Sequence, residues 1–308
     1  MTKKQQSLTD ILELYILDRT PSEETIKLLT KVIRLFTKDT QVTIACEIQK
    51  HTLNLWKQTL LGRVQRTTCN SYFRQIKTLI LFAYEEEIIE VNPFKKFRMV
   101  KEEEKAFKSI TQIDVAELIR YLKSEDNTLP PSWFWVTVIR TLYYTGIRRR
   151  QIVGLKWEDI CFQKKTILLS AKYSKTSREW VIPLHDDIIN DLYYLKERNH
   201  DCYGQSNPDL NNVQVFNVTL FNHRYSGNNM TTEQLSGFFR NLSNKAKVKG
   251  SAHRFRHRLA TDLANQKGNL KDVQSLLGHS NISTTLGYMG TDLHQIRNTL
   301  KTATPIHR

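Results

Sequence analysis

Residues 276–288 read Leu276-Leu277-Gly278-His279-Ser280-Asn281-Ile282-Ser283-Thr284-Thr285-Leu286-Gly287-Tyr288. A tyrosine near a C-terminus ordinarily packs against a core. One that stands nine positions after the histidine of a Leu-Leu-Gly-His-Ser run is a much rarer pattern. Upstream, His253-Arg254-Phe255-Arg256-His257 sets a histidine and an arginine about one helical turn apart, so that both share a face. Farther upstream, Lys175 lies in Tyr173-Ser174-Lys175-Thr176-Ser177, between two segments that read as strands, where a hairpin tip can reach over a bound backbone and deliver a proton. Thr145-Gly146-Ile147-Arg148 ends an apolar helix on glycine and continues at once with an arginine. A guanidinium fork at such a turn can hold two phosphate oxygens together, which the point charge of a lysine cannot. Each feature alone has an ordinary reading: a capped helix with solvated basics, a solvated hairpin lysine, a core histidine, a packing tyrosine.

Composition narrows the partner. The chain has 308 residues, enough for two domains. Its formal net charge of +15 calls for a polyanion. No long basic tail carries that charge, which favours a shaped basic surface over a disordered arm. No run approaches the ~18 apolar residues of a membrane helix. Met1 to Gln6 is polar with no apolar segment behind it, so no signal peptide is expected. Cys46, Cys69, Cys161 and Cys202 form no Cys-x-x-Cys pair and read as reduced thiols of a cytoplasmic protein. His253, His257 and His279 have no nearby acid or cysteine to complete a familiar metal site, and no metal is expected.

Periodicity divides the chain into a helical first part and a mixed second part. Leu8, Ile11, Leu12 and Tyr15 follow helical spacing, as do Ile26, Leu29, Ile33 and Phe36. Further helices are predicted over 47–60 and 67–87, the latter with Phe73, Ile76, Ile80 and Ala83 on one face. Asn92-Pro93 closes the block. A charge-dense linker covers 96–108, and Thr111 with Asp114 forms a capping box for the next helix. A helix over 132–144 runs up to Gly146. Short strands are predicted over 157–162, 165–171 and 180–184, then a helix over 187–197, a loop over 199–212, and helices over 231–245 and 254–266.

Taken together, these features resemble the tyrosine recombinases, also called the phage integrase family, over essentially the whole chain. The family order of arginine, lysine, histidine-x-x-arginine, histidine and tyrosine falls on Arg148, Lys175, His253, Arg256, His279 and Tyr288. The resemblance implies a mostly α fold: a helical, SAM-like core-binding domain over 1–95, the linker, and a mixed α/β catalytic domain over 109–308 with a small three-stranded antiparallel sheet, together forming a C-shaped DNA clamp. A first helix starting near residue 7 suggests the two-domain type, without an arm-binding domain. The implied activity is site-specific cleavage and rejoining of DNA through a 3′-phosphotyrosine. In that chemistry Arg148, Arg256 and His279 offset the charge that builds on the phosphate. His253 is the candidate base for a phenol whose ordinary pKa is near ~10, and Lys175 protonates the departing 5′-hydroxyl. The ester keeps the bond energy, so neither ATP nor any other cofactor is implied. Gln151 stands where the family usually carries an acid and, with His257, is read as supporting. Trp56, Arg63, Arg66, Arg74 and Lys77 are candidate DNA contacts. The implied partners are double-stranded recombination sites, bound by a dimer per site and a homotetramer overall, with accessory DNA-bending proteins. Location at the nucleoid and docking of the tail, 292–308, on a neighbouring subunit follow from the same resemblance. A type IB topoisomerase-like enzyme and a non-catalytic DNA-binding regulator are the alternative readings.

Overall fold

The computed structural model describes residues 5–102, 109–174, 178–203, 210–265 and 276. Its packing divides the chain into two units, Met1–Lys105 and Ala106–Arg308. It is mostly helical, with one small antiparallel sheet.

Among the described residues the first unit holds four α-helices, α1 (Leu8–Arg19), α2 (Glu23–Thr40), α3 (Lys50–Leu61) and α4 (Arg66–Glu85). Ser7 and Asp10 cap α1 reciprocally: the Ser7 N–H donates to the Asp10 carboxylate at 2.8 Å and the Asp10 N–H to the Ser7 hydroxyl at 3.1 Å. The apolar faces read from the sequence meet in one core, where Trp56 sits edge-on between Phe36 and Phe73 with ring centroids 4.9 and 4.7 Å away. The helix expected from residue 47 begins instead at Lys50, after a 3-10 turn over Ala45–Glu47. Part of the segment read as linker packs here too. Phe97, Met99 and Val100 lie on this core, and the Asn70 amide both donates to the Val100 carbonyl at 2.8 Å and accepts the Val100 N–H at 2.9 Å. A buried amide that satisfies both backbone groups of one residue fixes the strap to α4.

The second unit runs α5 (Gln112–Lys123), α6 (Ser132–Thr145), α7 (Arg149–Gly154), β1 (Ile160–Cys161), β2 (Thr166–Leu169), β3 (Trp180–Pro183), α8 (Ile189–Tyr203), α9 (Thr232–Ala246) and α10 (Ala252–Asn265). The strands pair antiparallel in the order β1-β2-β3, with Ile167 opposite Ile182 and Leu169 opposite Trp180. Ile167 and Leu169 alternate inward, as period-2 patterning requires. Trp135 stacks flat on Phe238, 3.7 Å between centroids, and joins α6 to α9 inside the core. The first strand is shorter than predicted because Trp157–Asp159 is a 3-10 turn whose entry is capped by the Asp159 carboxylate, accepting the Lys156 N–H at 2.8 Å. The loop predicted from residue 199 is helical to Tyr203. Asn199 is fully buried and donates to the Val215 carbonyl at 3.1 Å, so this polar residue serves the core rather than a turn.

Helix α7 escaped the sequence reading because it is too short to show a period. It ends on Gly154, where an added Cβ would lie 2.3 Å from the Tyr173 ring. Gly154→Ala is therefore expected to destabilise the unit by about 1–3 kcal/mol through overpacking, measured by denaturant unfolding. Adding Tyr173→Ala should return part of the loss; an unchanged midpoint for the single variant would show that the ring moves aside without cost.

Candidate active site

The site is built on the turn between α6 and α7. Gly146 closes α6 in the left-handed region, φ 58°, which glycine adopts at little cost. Arg148 then takes the N-cap of α7, and its backbone N–H donates to Gln151 Oε1 at 2.9 Å. Gln151 is buried, 2% exposed, and its Nε2 has no hydrogen-bond partner among the described residues. An amide thus performs the capping that a carboxylate at this position would perform, without adding negative charge beside Arg148.

Helix α10 closes on the same turn. Arg256, 5% exposed, donates from Nη1 to the Gly146 carbonyl at 3.1 Å. A buried guanidinium needs acceptors, and the cap carbonyl supplies one. The bond brings Arg256 to the turn from which Arg148 departs. Other contacts fix the rest of α7. Arg149 Nη1 donates to Ser236 Oγ of α9 at 2.5 Å. At the far end, the Gln214 amide donates to the carbonyls of Val153 and Met230 at 2.5 and 2.9 Å and accepts the Met230 N–H at 2.7 Å. The Val215 N–H donates to the Leu155 carbonyl at 2.9 Å. Arg148 itself carries its guanidinium over the ring of Trp180 on β3, 5.8 Å from the centroid.

His253 and His257 form a pair one turn apart on α10, with Nε2 atoms 2.6 Å from each other. One ring must donate and the other accept, so the line between them holds a single proton. Burial, and then the Arg256 charge, push the His253 pKa down. His257 is lowered to about 4 by burial, by His253 and by the arginines at 256 and 254. Both rings are neutral at pH 7.

The described residues therefore bring together Arg148, Gln151, Arg256, His253 and His257. Lys175, His279 and Tyr288 lie outside the described residues. In the first unit the sequence-derived candidates separate. Trp56 is corrected from DNA contact to core: it is 1% exposed, and its indole N–H donates to Asp39 at 3.0 Å. Arg63 is half-exposed and paired with the same Asp39 at 2.5 Å. Arg66 donates to the Lys101 carbonyl at 3.3 Å and Arg74 to Glu102 at 3.1 Å, so both hold the strap after α4, while Lys77 is exposed. Sequence reading missed a basic groove in which Lys27, Lys31, Arg34, Lys38 and Arg63 rim an apolar floor that includes Leu35, Leu60, Val64 and Tyr72. The signal was present in α2, where Lys27, Lys31, Arg34 and Lys38 recur at helical spacing. The reading also missed Trp180 and Ser236, which carry no motif of their own.

Residues 108–294 match the model of the phage integrase family, and the chain belongs to that family. Among curated relatives, a putative tyrosine recombinase XerC of Pseudomonas syringae is 28% identical over 96% of this chain and 64% of its own length. Another, from Pseudomonas aeruginosa, is 29% identical over 80% of this chain and 59% of its own length. The chain thus spans less than two thirds of either relative. Among solved structures, the Tn1549 transposon integrase in complex with a circular intermediate DNA superposes with a TM-score of 0.75 at 18% identity, over 97% of this chain and 99% of that one. A lambda integrase dimer bound to a COC′ core site gives 0.69 at 16% identity, over 94% and 97%. At these identities the likeness is one of fold.

The lowered His257 pKa sets a pH dependence. Between about 6.5 and 4 the unfolded chain takes up a proton that the native ring refuses. Stability should fall as pH drops through that window, by on the order of 1–3 kcal/mol. His257→Gln should flatten this acid limb in urea titrations at stepped pH; an unaltered limb would remove His257 as its source.

Proposed function

We propose that this chain is a site-specific DNA recombinase or integrase, which cleaves and rejoins double-stranded DNA through a 3′-phosphotyrosine at Tyr288. The observation that carries the reading is the bond from buried Arg256 to the Gly146 carbonyl, because it gathers the first and last arginines of the family pattern at one turn. Arg148 and Arg256 hold the non-bridging oxygens of the scissile phosphate and oppose the charge that builds there, with His279 adding a hydrogen bond. His253 serves as the base. Its lowered pKa keeps it able to accept a proton at neutral pH. In the tautomer that donates Nε2–H to His257, its Nδ1 is the basic nitrogen that receives the phenol proton. Tyr288 then attacks phosphorus, the bond to the 5′-oxygen breaks, and Lys175 protonates that oxygen. Reversal with a new 5′-hydroxyl rejoins the strand, and the aryl ester conserves the energy. Gln151 and His257 support by holding the Arg148 backbone and the His253 ring.

In this reading residues 1–95 form the core-binding domain, 96–108 the linker and 109–308 the catalytic domain. The groove rimmed by Lys27, Lys31, Arg34, Lys38 and Arg63 follows the DNA backbone, with Lys77 as a further contact. A dimer occupies each site and two sites pair in a tetramer, assisted by DNA-bending proteins, at the nucleoid in the cytoplasm. The net charge of +15 supports an affinity for DNA that falls steeply with salt.

A nicked suicide duplex, in which the cleaved fragment diffuses away, tests the chemistry. The wild-type chain should become covalently attached, Tyr288→Phe should form no adduct, and Arg148→Ala and Arg256→Ala should each lose about 10²-fold or more in rate. Adduct formation by Tyr288→Phe would refute the nucleophile. Separately, deleting residues 292–308 should weaken tetramer assembly on DNA while leaving the single-site dimer, read by native gels; equal assembly would place the tail in cis.

A further inference from the structure

Gln151 works at one end only. Its Oε1 accepts the Arg148 backbone N–H at 2.9 Å, while its Nε2 is buried and meets no hydrogen-bond partner among the described residues. A side-chain amide has nearly the same shape either way round, and only its partners decide which end points where. Turned over, Gln151 would face the Arg148 N–H with a second donor and uncap α7. The nitrogen end therefore needs an acceptor of its own.

Gln151 lines a small cavity of about 10 Å³, the space of one water. Leu155, Leu168 and Leu169 form its apolar wall, and Asp159 and Ser170 are further polar members. Asp159 gives Oδ2 to the Lys156 N–H at 2.8 Å, which leaves acceptor capacity on Oδ1. Ser170 Oγ accepts the Lys172 N–H at 3.3 Å and keeps its own hydrogen to donate. Burial, ahead of every other influence, pushes the Asp159 pKa up, and the Lys156 N–H offsets this only in part. Such a carboxylate gains from one more donor. Water can accept from an amide N–H and donate to a carboxylate at once. We propose that one water in this cavity joins Gln151 Nε2 to Asp159, and that Asp159 is a positioning residue: through the water it fixes the amide orientation that caps α7 where Arg148 departs. The family usually carries an acid where Gln151 stands, and Asp159 reaches that position at one remove. The bridge stands on geometry alone; its effect on catalysis rests on the recombinase reading above.

The test reverses the polarity of the bridge in the full chain. Asp159→Asn, its oxygen kept on the Lys156 N–H, sets two amide donors against the water. Gln151→Glu sets two carboxylates against it. The double variant restores one donor and one acceptor, exchanged. Urea midpoints and single-turnover adduct rates on the nicked duplex are measured for wild type, both single variants and the double variant. Each single variant should unfold at lower urea and react about 10-fold slower, the order set by one unsatisfied buried polar group. The double variant should recover most of both losses. Asp159 acting only as the cap of its 3-10 turn would give no such recovery, because Q151E does not touch that cap. D159N without loss, or effects that simply add in the double variant, overturn the proposal. Should a single variant not fold, folding of the double variant is the recovery that is read, and its failure to fold overturns the proposal. If the wild-type chain forms no adduct while the urea midpoints still recover, the bridge stands, and the recombinase reading, with the catalytic effect built on it, falls. In a crystal structure of the wild-type chain a water should lie about 3 Å from both Gln151 Nε2 and an Asp159 oxygen; a cavity without one overturns the bridge.

Discussion

The second unit depends on one hydrogen bond, from the guanidinium of Arg256 to the carbonyl of Gly146. The two residues are far apart in the chain and belong to helices whose apolar faces would pack at several rotations. A buried cation removes that freedom, because leaving it unsatisfied costs far more than an ordinary hydrogen bond gains. The acceptor is the carbonyl at the end of α6, where the helix dipole is negative and already favours a cation. Glycine in the left-handed region turns the chain there. That bond ties α10 to the turn where α6 ends and α7 begins.

The electrostatics follow from that placement. Burial first, with the Arg256 charge adding to it, presses both neighbouring histidines toward the neutral form. Gln151 caps α7 with an amide oxygen. In the proposed reaction the two arginines bring preorganised charge to the phosphate.

Much of this was legible in the sequence, and the failures have physical causes. Long amphipathic helices such as α2 and α4 announce themselves through repeated spacing, and Thr111 with Asp114 marked a helix start that is present. The pairing of Arg148 with the His253–Arg256 turn was visible only as family order; spacing alone cannot bring residues from opposite ends of a domain together. Helix α7 is shorter than two turns and has no period to find. Asn199 looked like a loop residue because polarity says nothing about a buried amide with a backbone partner. Trp56 looked like a surface aromatic among cations, yet the aromatic neighbours that bury it, Phe36 and Phe73, come from two other helices. Trp180 was hidden because a tryptophan in a strand reads as packing, and its contact with Arg148 appears only in the folded chain.

Gln214 shows how narrowly such a scaffold can constrain an ordinary-looking position. Its amide gives both hydrogens to main-chain carbonyls, of Val153 and Met230, and its oxygen receives the Met230 N–H. Glutamate would turn two attractions into oxygen–oxygen repulsions in a dry setting. Asparagine falls one methylene short, and no hydrocarbon offers either kind of partner. The vocabulary at this site is a single word, and it is spelled by backbone atoms that no substitution elsewhere can rewrite.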